Sequence, residues 1–155
     1  MNIRELKNAN EIKDYLDNVN SQYVKVAITD IDGVLRGKYM HRDKFLKATD
    51  SGFGFCDVIF GWDSNDDLYE LTKKEGKKIF TGWHTGYPDA KVSIIPESLR
   101  AIPFEKDTPI VVSELSNEGL CPRTILRKVL NKLRSLGYKS KSAFEYKFFL
   151  FKEAF

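Results

Sequence analysis

Three stretches of this sequence place carboxylates where they could do chemistry. VAITDIDGVL sets Asp30 and Asp32 two positions apart at the end of an apolar run, with Gly33 behind them. GWDSNDDLYE gathers Asp63, Asp66 and Asp67 into one polar segment. KSAFEYKFFLFKEAF places Glu145 and Lys147 inside an aromatic run. Read with period two, Phe144, Tyr146, Phe148 and Leu150 share one face of that run, and Glu145, Lys147, Phe149 and Phe151 share the other. A carboxylate and an ammonium on one face make a natural ion pair. Protonated Lys has three donors and no lone pair, so Lys147 cannot ligate a hard metal and would repel one. His41 and His84 stand apart from these groups, and a loop histidine such as His84 in TGWHTG needs no special role.

The elements that must position these groups follow from the pattern. Ile12, Tyr15, Leu16 and Val19 fall at helical spacing behind Asn10, a suitable N-cap, which predicts an amphipathic helix over 10–19. YVKVAITD alternates Val24, Val26 and Ile28 against Lys25, Ala27 and Thr29, a strand with one buried face. Asp-Gly between this run and VLRGKYMH is a strong hairpin signal. RDKFLKATDSG predicts a short helix ended by Gly52, and FGFCDVIFGW a strand. The stretch KKEGKKIFTGWHTGYPDA, punctuated by Gly76, Gly82, Gly86 and Pro88, is a loop. AKVSIIPE and TPIVVSEL are further strands. Pro122 at the first helical position, the stripe Ile125, Leu126, Val129, Leu130 and Leu133, and Gly137 bound the clearest helix. Its seven Lys or Arg between Cys121 and Ser142, with no acid among them, are expected to form a solvated face.

Composition narrows the classes. A chain of 155 residues with 42% apolar content and eleven Phe supports a real core. A net charge of +3, from 25 basic and 22 acidic residues, is too balanced to point to nucleic acid or an anionic membrane surface. No apolar run reaches the length of a membrane span, and the charged N-terminus lacks a signal core. Cys56 and Cys121 lie far apart with no CxxC spacing, as expected of free thiols in a reducing compartment. These features lead to the expectation of a soluble, cytoplasmic protein.

VAITDIDGVL is similar to the first motif of the haloacid-dehalogenase-like phosphatases. That resemblance implies a nucleophile at Asp30 and a general acid at Asp32, working with Mg2+ on a phosphoryl group. Such a site needs a crossover to a parallel strand, and here LRGKYMH returns at once. The hairpin reading is therefore preferred, and the phosphatase stands as an alternative.

A longer, ordered set of stretches resembles the N-terminal part of the glutamine synthetase family, in particular its γ-glutamyl-amine ligase branches. The set comprises ITDIDGVLRGKYM, GFGFCDVIFGWDSND, TGWHTGYPDAKVSIIPE, NEGLCPRTILRKVL and FEYKFFLF, from about Tyr23 to Phe151. The resemblance implies an α+β fold, with an N-terminal helix over 1–22 and a β-grasp domain over 23–112. Residues 113–155 would then supply the first helix and strand of an incomplete α/β catalytic domain. In that family ATP phosphorylates the glutamate side chain, ammonia or an amine displaces the phosphate, and Mg2+ or Mn2+ neutralises the phosphoryl charge. The subunits form a ring in which the β-grasp domain of one subunit reaches its neighbour's site.

By the same resemblance, Asp63 in GWDSND is the carboxylate that binds and deprotonates ammonium, with Asp66 as second choice because the family's loop has a different local sequence. Glu145 takes the place of one metal-binding Glu, and Lys147 occupies the position of a second. His84 could line the substrate entrance. The chain by itself is expected to bind no ATP or metal and to lack ligase activity. A non-enzymatic module that docks on a full-length relative is the other alternative.

Overall fold

The computed structural model describes residues 8–19, 21–69, 81–116 and 119–152. Residues 70–80, which include the first part of the predicted loop and Gly76, lie outside the described residues. So do Met1 to Lys7, Asn20, Asn117, Glu118 and the last three residues.

The first helix, α1 (Ala9–Asn18), starts earlier than predicted because Asn8, not Asn10, is its N-cap: Asn8 Oδ1 accepts the Glu11 amide at 3.0 Å. The predicted stripe does the packing, with Ile12 and Leu16 fully buried and Tyr15 and Val19 against the same core. β1 (Tyr23–Thr29) and β2 (Leu35–His41) pair antiparallel in the register Thr29↔Leu35 through Tyr23↔His41. A side chain at Gly37 would press its Cβ to 2.3 Å from the Val26 carbonyl oxygen, which explains the glycine inside RGK. α2 (Arg42–Ser51) follows directly, with His41 Nδ1 accepting the Asp43 amide at its start.

β3 (Phe53–Cys56) is shorter than the predicted strand, because the chain turns into a 3-10 segment, Asp57–Phe60. The turn is held by Asp57, whose amide donates to the Pro88 carbonyl at 3.1 Å and whose buried carboxylate accepts the Thr81 hydroxyl at 2.6 Å. β4 (Asp89–Ile94), a short β5 (Arg100–Ile102) missing from the sequence reading, and β6 (Thr108–Leu115) complete the sheet. Its order is β2-β1-β6-β4-β3, with β5 on β6; β1 and β6 are parallel and the other pairs antiparallel.

One core lies beneath α1 and α2, where Phe45 and Ala48 meet Val24, Val26, Met40, Val111 and Leu99. A second gathers Ile28, Ile59, Phe60, Val92, Leu115 and Cys121. β2 and β3 end the strand order, yet Lys38 Nζ donates to the Gly54 carbonyl at 3.3 Å and sits 5.3 and 5.2 Å from the rings of Phe53 and Phe55. The sheet is therefore strongly curled, edge towards edge. This is the expected α+β, β-grasp-like architecture.

α3 (Pro122–Ser135) leaves the sheet after β6 and has no buried residue of its own. Its basic residues are exposed as expected, apart from the half-buried Arg123, and two of them also reach back to β6. Arg123 Nε donates to Glu114 Oε1 at 3.2 Å and Arg127 to Glu114 Oε2, which ties the helix to the nearly buried Glu114 carboxylate of β6. The predicted final strand is not formed: residues 138–152 carry no regular secondary structure. Its period-two geometry survives without a ladder, since Phe144 stacks near Tyr146, Glu145 pairs with Lys147, and Phe149 lies near Phe151. A strand needs a neighbour to satisfy its backbone, and no described residue supplies one. Both thiols are free, Cys121 buried and Cys56 half-buried. No helix among the described residues is long and apolar enough to cross a membrane.

Candidate functional site

The DIDG segment is a reversal between antiparallel neighbours. Asp30 N donates to the Val34 carbonyl at 3.0 Å, Gly33 N to the Asp30 carbonyl at 3.2 Å, and Gly33 takes φ +83°, a conformation glycine adopts without strain. The fully buried Asp30 carboxylate is committed to this turn. Its Oδ1 accepts the amides of Asp32 (3.0 Å) and Val34 (2.8 Å), and its Oδ2 accepts Arg36 Nε at 2.8 Å. The sequence at this point matches a nucleophile, but the geometry is that of a hairpin cap.

Directly beside it hangs the GWDSND loop, a small hairpin closed by a Trp62↔Leu68 bridge and by Tyr69 N donating to the Gly61 carbonyl at 2.8 Å. Asp63 organises the loop's interior. Its Oδ1 accepts the amides of Asn65 (2.8 Å) and Asp67 (3.1 Å), and its own amide donates to the Asp67 carbonyl at 3.0 Å. The other carboxylate oxygen makes no hydrogen bond among the described residues. Asp66, exposed and at φ +67°, pairs with the Arg36 guanidinium. Asn65 Nδ2 donates to Asp67 Oδ2 at 3.0 Å.

Acidic side chains and the Arg36 guanidinium meet beside Tyr69. The Tyr69 hydroxyl is pushed above its ordinary value, first by desolvation and then by the Asp32 and Asp63 carboxylates. Arg36 is held above its own ordinary value, first by its hydrogen bond to Asp30 and then by Asp66. A half-buried carboxylate in such surroundings attracts a cation and can accept its proton. Arg36 was missed in the sequence. The available signal was chemical: an Asp at the end of a buried apolar strand needs a cation, and Arg36 is the first one on the return strand.

The remaining expected residues lie elsewhere. Glu145 and Lys147 form an exposed ion pair, with Nζ 3.3 Å from Oε1 and side chains 78% and 82% exposed. Among the described residues no three His, Cys, Asp or Glu side chains come together as a metal site. One carboxylate already held by an ammonium does not fit a divalent ion on its own. His84 is exposed in the 3-10 turn Trp83–Thr85, and His41 caps α2; neither meets the Asp63 loop in a described contact.

This geometry has relatives. A family model, "Glutamine synthetase, catalytic domain", matches residues 119–154. The chain is 39% identical over 138 residues to type-1 glutamine synthetase 2 of Dictyostelium discoideum, a match covering 86% of this chain and 25% of the relative. It is 33% identical to glutamate–isopropylamine ligase of a Pseudomonas species over 152 residues, covering 93% of this chain and 31% of that one. Among solved structures, GmaS with ADP superposes with a TM-score of 0.56 at 18% identity, over 79% of this chain and 25% of that one. Plasmodium falciparum glutamine synthetase gives 0.55 at 17% identity, over 84% and 23%.

The chain belongs to the glutamine synthetase family. It spans about a quarter to a third of the length of the curated relatives it matches.

Proposed function

We propose that this chain supplies the β-grasp portion and the opening of the catalytic portion of a ligase that joins glutamate to ammonia or an amine at the expense of ATP. In this reading residues 23–112 form the β-grasp unit and 113–155 begin the catalytic unit. Asp63 is the carboxylate that receives the ammonium or alkylammonium ion and takes its proton before the neutral amine attacks. In a ring of subunits the loop would serve a neighbour's site. Glu145 is the candidate metal ligand that the resemblance names, with Lys147 beside it in place of a second carboxylate. ATP and the divalent ion would supply phosphoryl activation of glutamate in the assembled enzyme, and the chain by itself has no ligase activity.

The observation that carries this reading is the state of Asp63. One oxygen is fixed by two backbone amides at the neck of an exposed loop, its second oxygen has no described partner, and Asp66 and Asp67 stand in the same loop. Asp66 is the weaker choice because Arg36 already neutralises it.

The test is a ligase in which residues 8–116 replace the matching portion of the Pseudomonas isopropylamine ligase. Asp63→Asn should lower its kcat/KM for the amine by about 10²–10⁴, the usual contribution of a general base. A loss below threefold would refute the assignment. Formation of γ-glutamyl hydroxamate by the 155-residue chain alone would overturn the claim that it is inactive by itself.

The uncovered apolar side chains of α3 and of residues 144–151 favour a second possibility, a module that docks on a full-length relative. Co-purification with such a relative, without catalysis by the chain, separates the two.

A further inference from the structure

We infer that Arg36 is the positioning residue of the Asp63 loop, and that the DIDG turn is the anchor from which it works. The inference deepens the reading above and takes from it only the importance of the loop. Arg36 stands on β2 opposite Ile28, its side chain 16% exposed. All three guanidinium nitrogens are engaged: Nε with Asp30 Oδ2 at 2.8 Å, Nη2 with the Asp63 carbonyl at 2.9 Å, and Nη1 with Asp66. The Trp62 ring lies 5.3 Å from Cζ.

A guanidinium is a rigid planar fork, so fixing Nε on one acceptor fixes where the other two nitrogens point. Asp30 is well suited to hold that end, because it is fully buried and its other oxygen is bound by two amides of the turn. The far end then reaches the loop at two places. It takes the backbone carbonyl of Asp63 and leaves the Asp63 carboxylate without an ion pair to Arg36. The same guanidinium offsets Asp30 and Asp66, so the loop is fixed without cancelling the charge that matters. This gives the DIDG motif a purpose that needs no nucleophile.

The test is amide hydrogen exchange of the 155-residue chain, measured by NMR. Arg36→Lys keeps a cation beside Asp30 but cannot span to the loop. The amides of Asn65, Asp66 and Asp67 should then exchange about tenfold faster, the effect of losing one or two hydrogen bonds, with Val26 and Val111 unchanged within about twofold. Asp66→Asn takes the charge from one leg, leaving at most a weaker neutral hydrogen bond to Nη1, and should speed the same loop amides about threefold or more. Loop exchange within twofold of the parent in both variants would overturn the inference. So would acceleration spread evenly over β1, β2 and β6, the signature of a merely structural residue. Should Arg36→Lys fail to fold, Asp66→Asn decides by the same criterion. Failure of the Asp63→Asn amine assay would remove the proposed function and leave this exchange result standing.

Discussion

Replacing Asp30 separates a hairpin cap from a reactive centre, because the first role predicts a large loss of stability and the second almost none. In Asp30→Asn the side-chain carbonyl can still accept the amides of Asp32 and Val34, but an amide NH2 then faces Arg36 Nε where a carboxylate oxygen stood. Removing one partner of a buried ion pair costs about 3–5 kcal/mol. Arg36 keeps Asp66 and some access to solvent, so the cost here is about 2–3 kcal/mol. Asp30→Ala also leaves two turn amides without their acceptor, adding about 1 kcal/mol for each. With a urea m-value of about 1.5 kcal/mol/M, the midpoint should fall by about 1.5–2 M in the Asn variant and about 3 M in the Ala variant. Fluorescence reports the transition, since Trp62 packs on Arg36. A nucleophile at the mouth of a cleft would tolerate Asn with little change in stability. A midpoint shift below about 0.3 M for Asp30→Asn, against the fall of about 1.5–2 M expected, would refute the reasoning.

Other outcomes follow from the same contacts. Phe45→Ala empties the centre of the core beneath α1 and α2 and should cost about 3–5 kcal/mol by urea denaturation. The hydrogen bond from Lys25 holds the Glu105 carboxyl below its ordinary value of 4.5, and the same bond raises Lys25 above 10.5. The pair's contribution is therefore complete between those values, lost on the acid side as pH falls through the depressed Glu105 value, and lost on the alkaline side as pH rises through the raised Lys25 value. Urea midpoints of the parent and Glu105→Gln should differ at neutral pH and converge in acid. Glu114→Gln loosens both guanidinium contacts of α3, so α3 amides should exchange faster while those of β4 and β6 hold. Because Leu126 and Val129 are exposed on α3, the chain should bind a hydrophobic dye, and Leu126→Glu should reduce that binding without moving the melting temperature.

What could be read in the sequence was what short-range chemistry determines. Asp-Gly between apolar runs located the β1–β2 turn, and Pro122 with the stripe through Leu133 located α3. What escaped it depends on contacts distant in sequence. Nothing local indicates that Lys25–Ile28 pairs in parallel with Ile110–Ser113, or that Arg36 bridges Asp30 to a loop 27 to 30 positions away. β5 is too short to show an alternation. The length of β3 was overestimated because Asp57 and Pro88 end it through a contact that no propensity encodes. For residues 144–151 the period was legible, whereas a ladder needs a partner strand.

The candidate site divides in the same way. The carboxylates were visible as residue types, and the resemblance already set Asp63 before Asp66, whereas the place of Asp30 as turn cap and the pairing of Asp66 with Arg36 came only from the geometry.

The most direct test of the account compares two amines in the chimaeric ligase carrying residues 8–116. Isopropylamine is protonated at neutral pH and must lose a proton before it attacks, whereas hydroxylamine is already uncharged. If Asp63 accepts that proton, Asp63→Asn should reduce kcat/KM for isopropylamine by about 10²–10⁴ while hydroxylamine loses less than about tenfold. Equal losses for the two, or none for either, would contradict it.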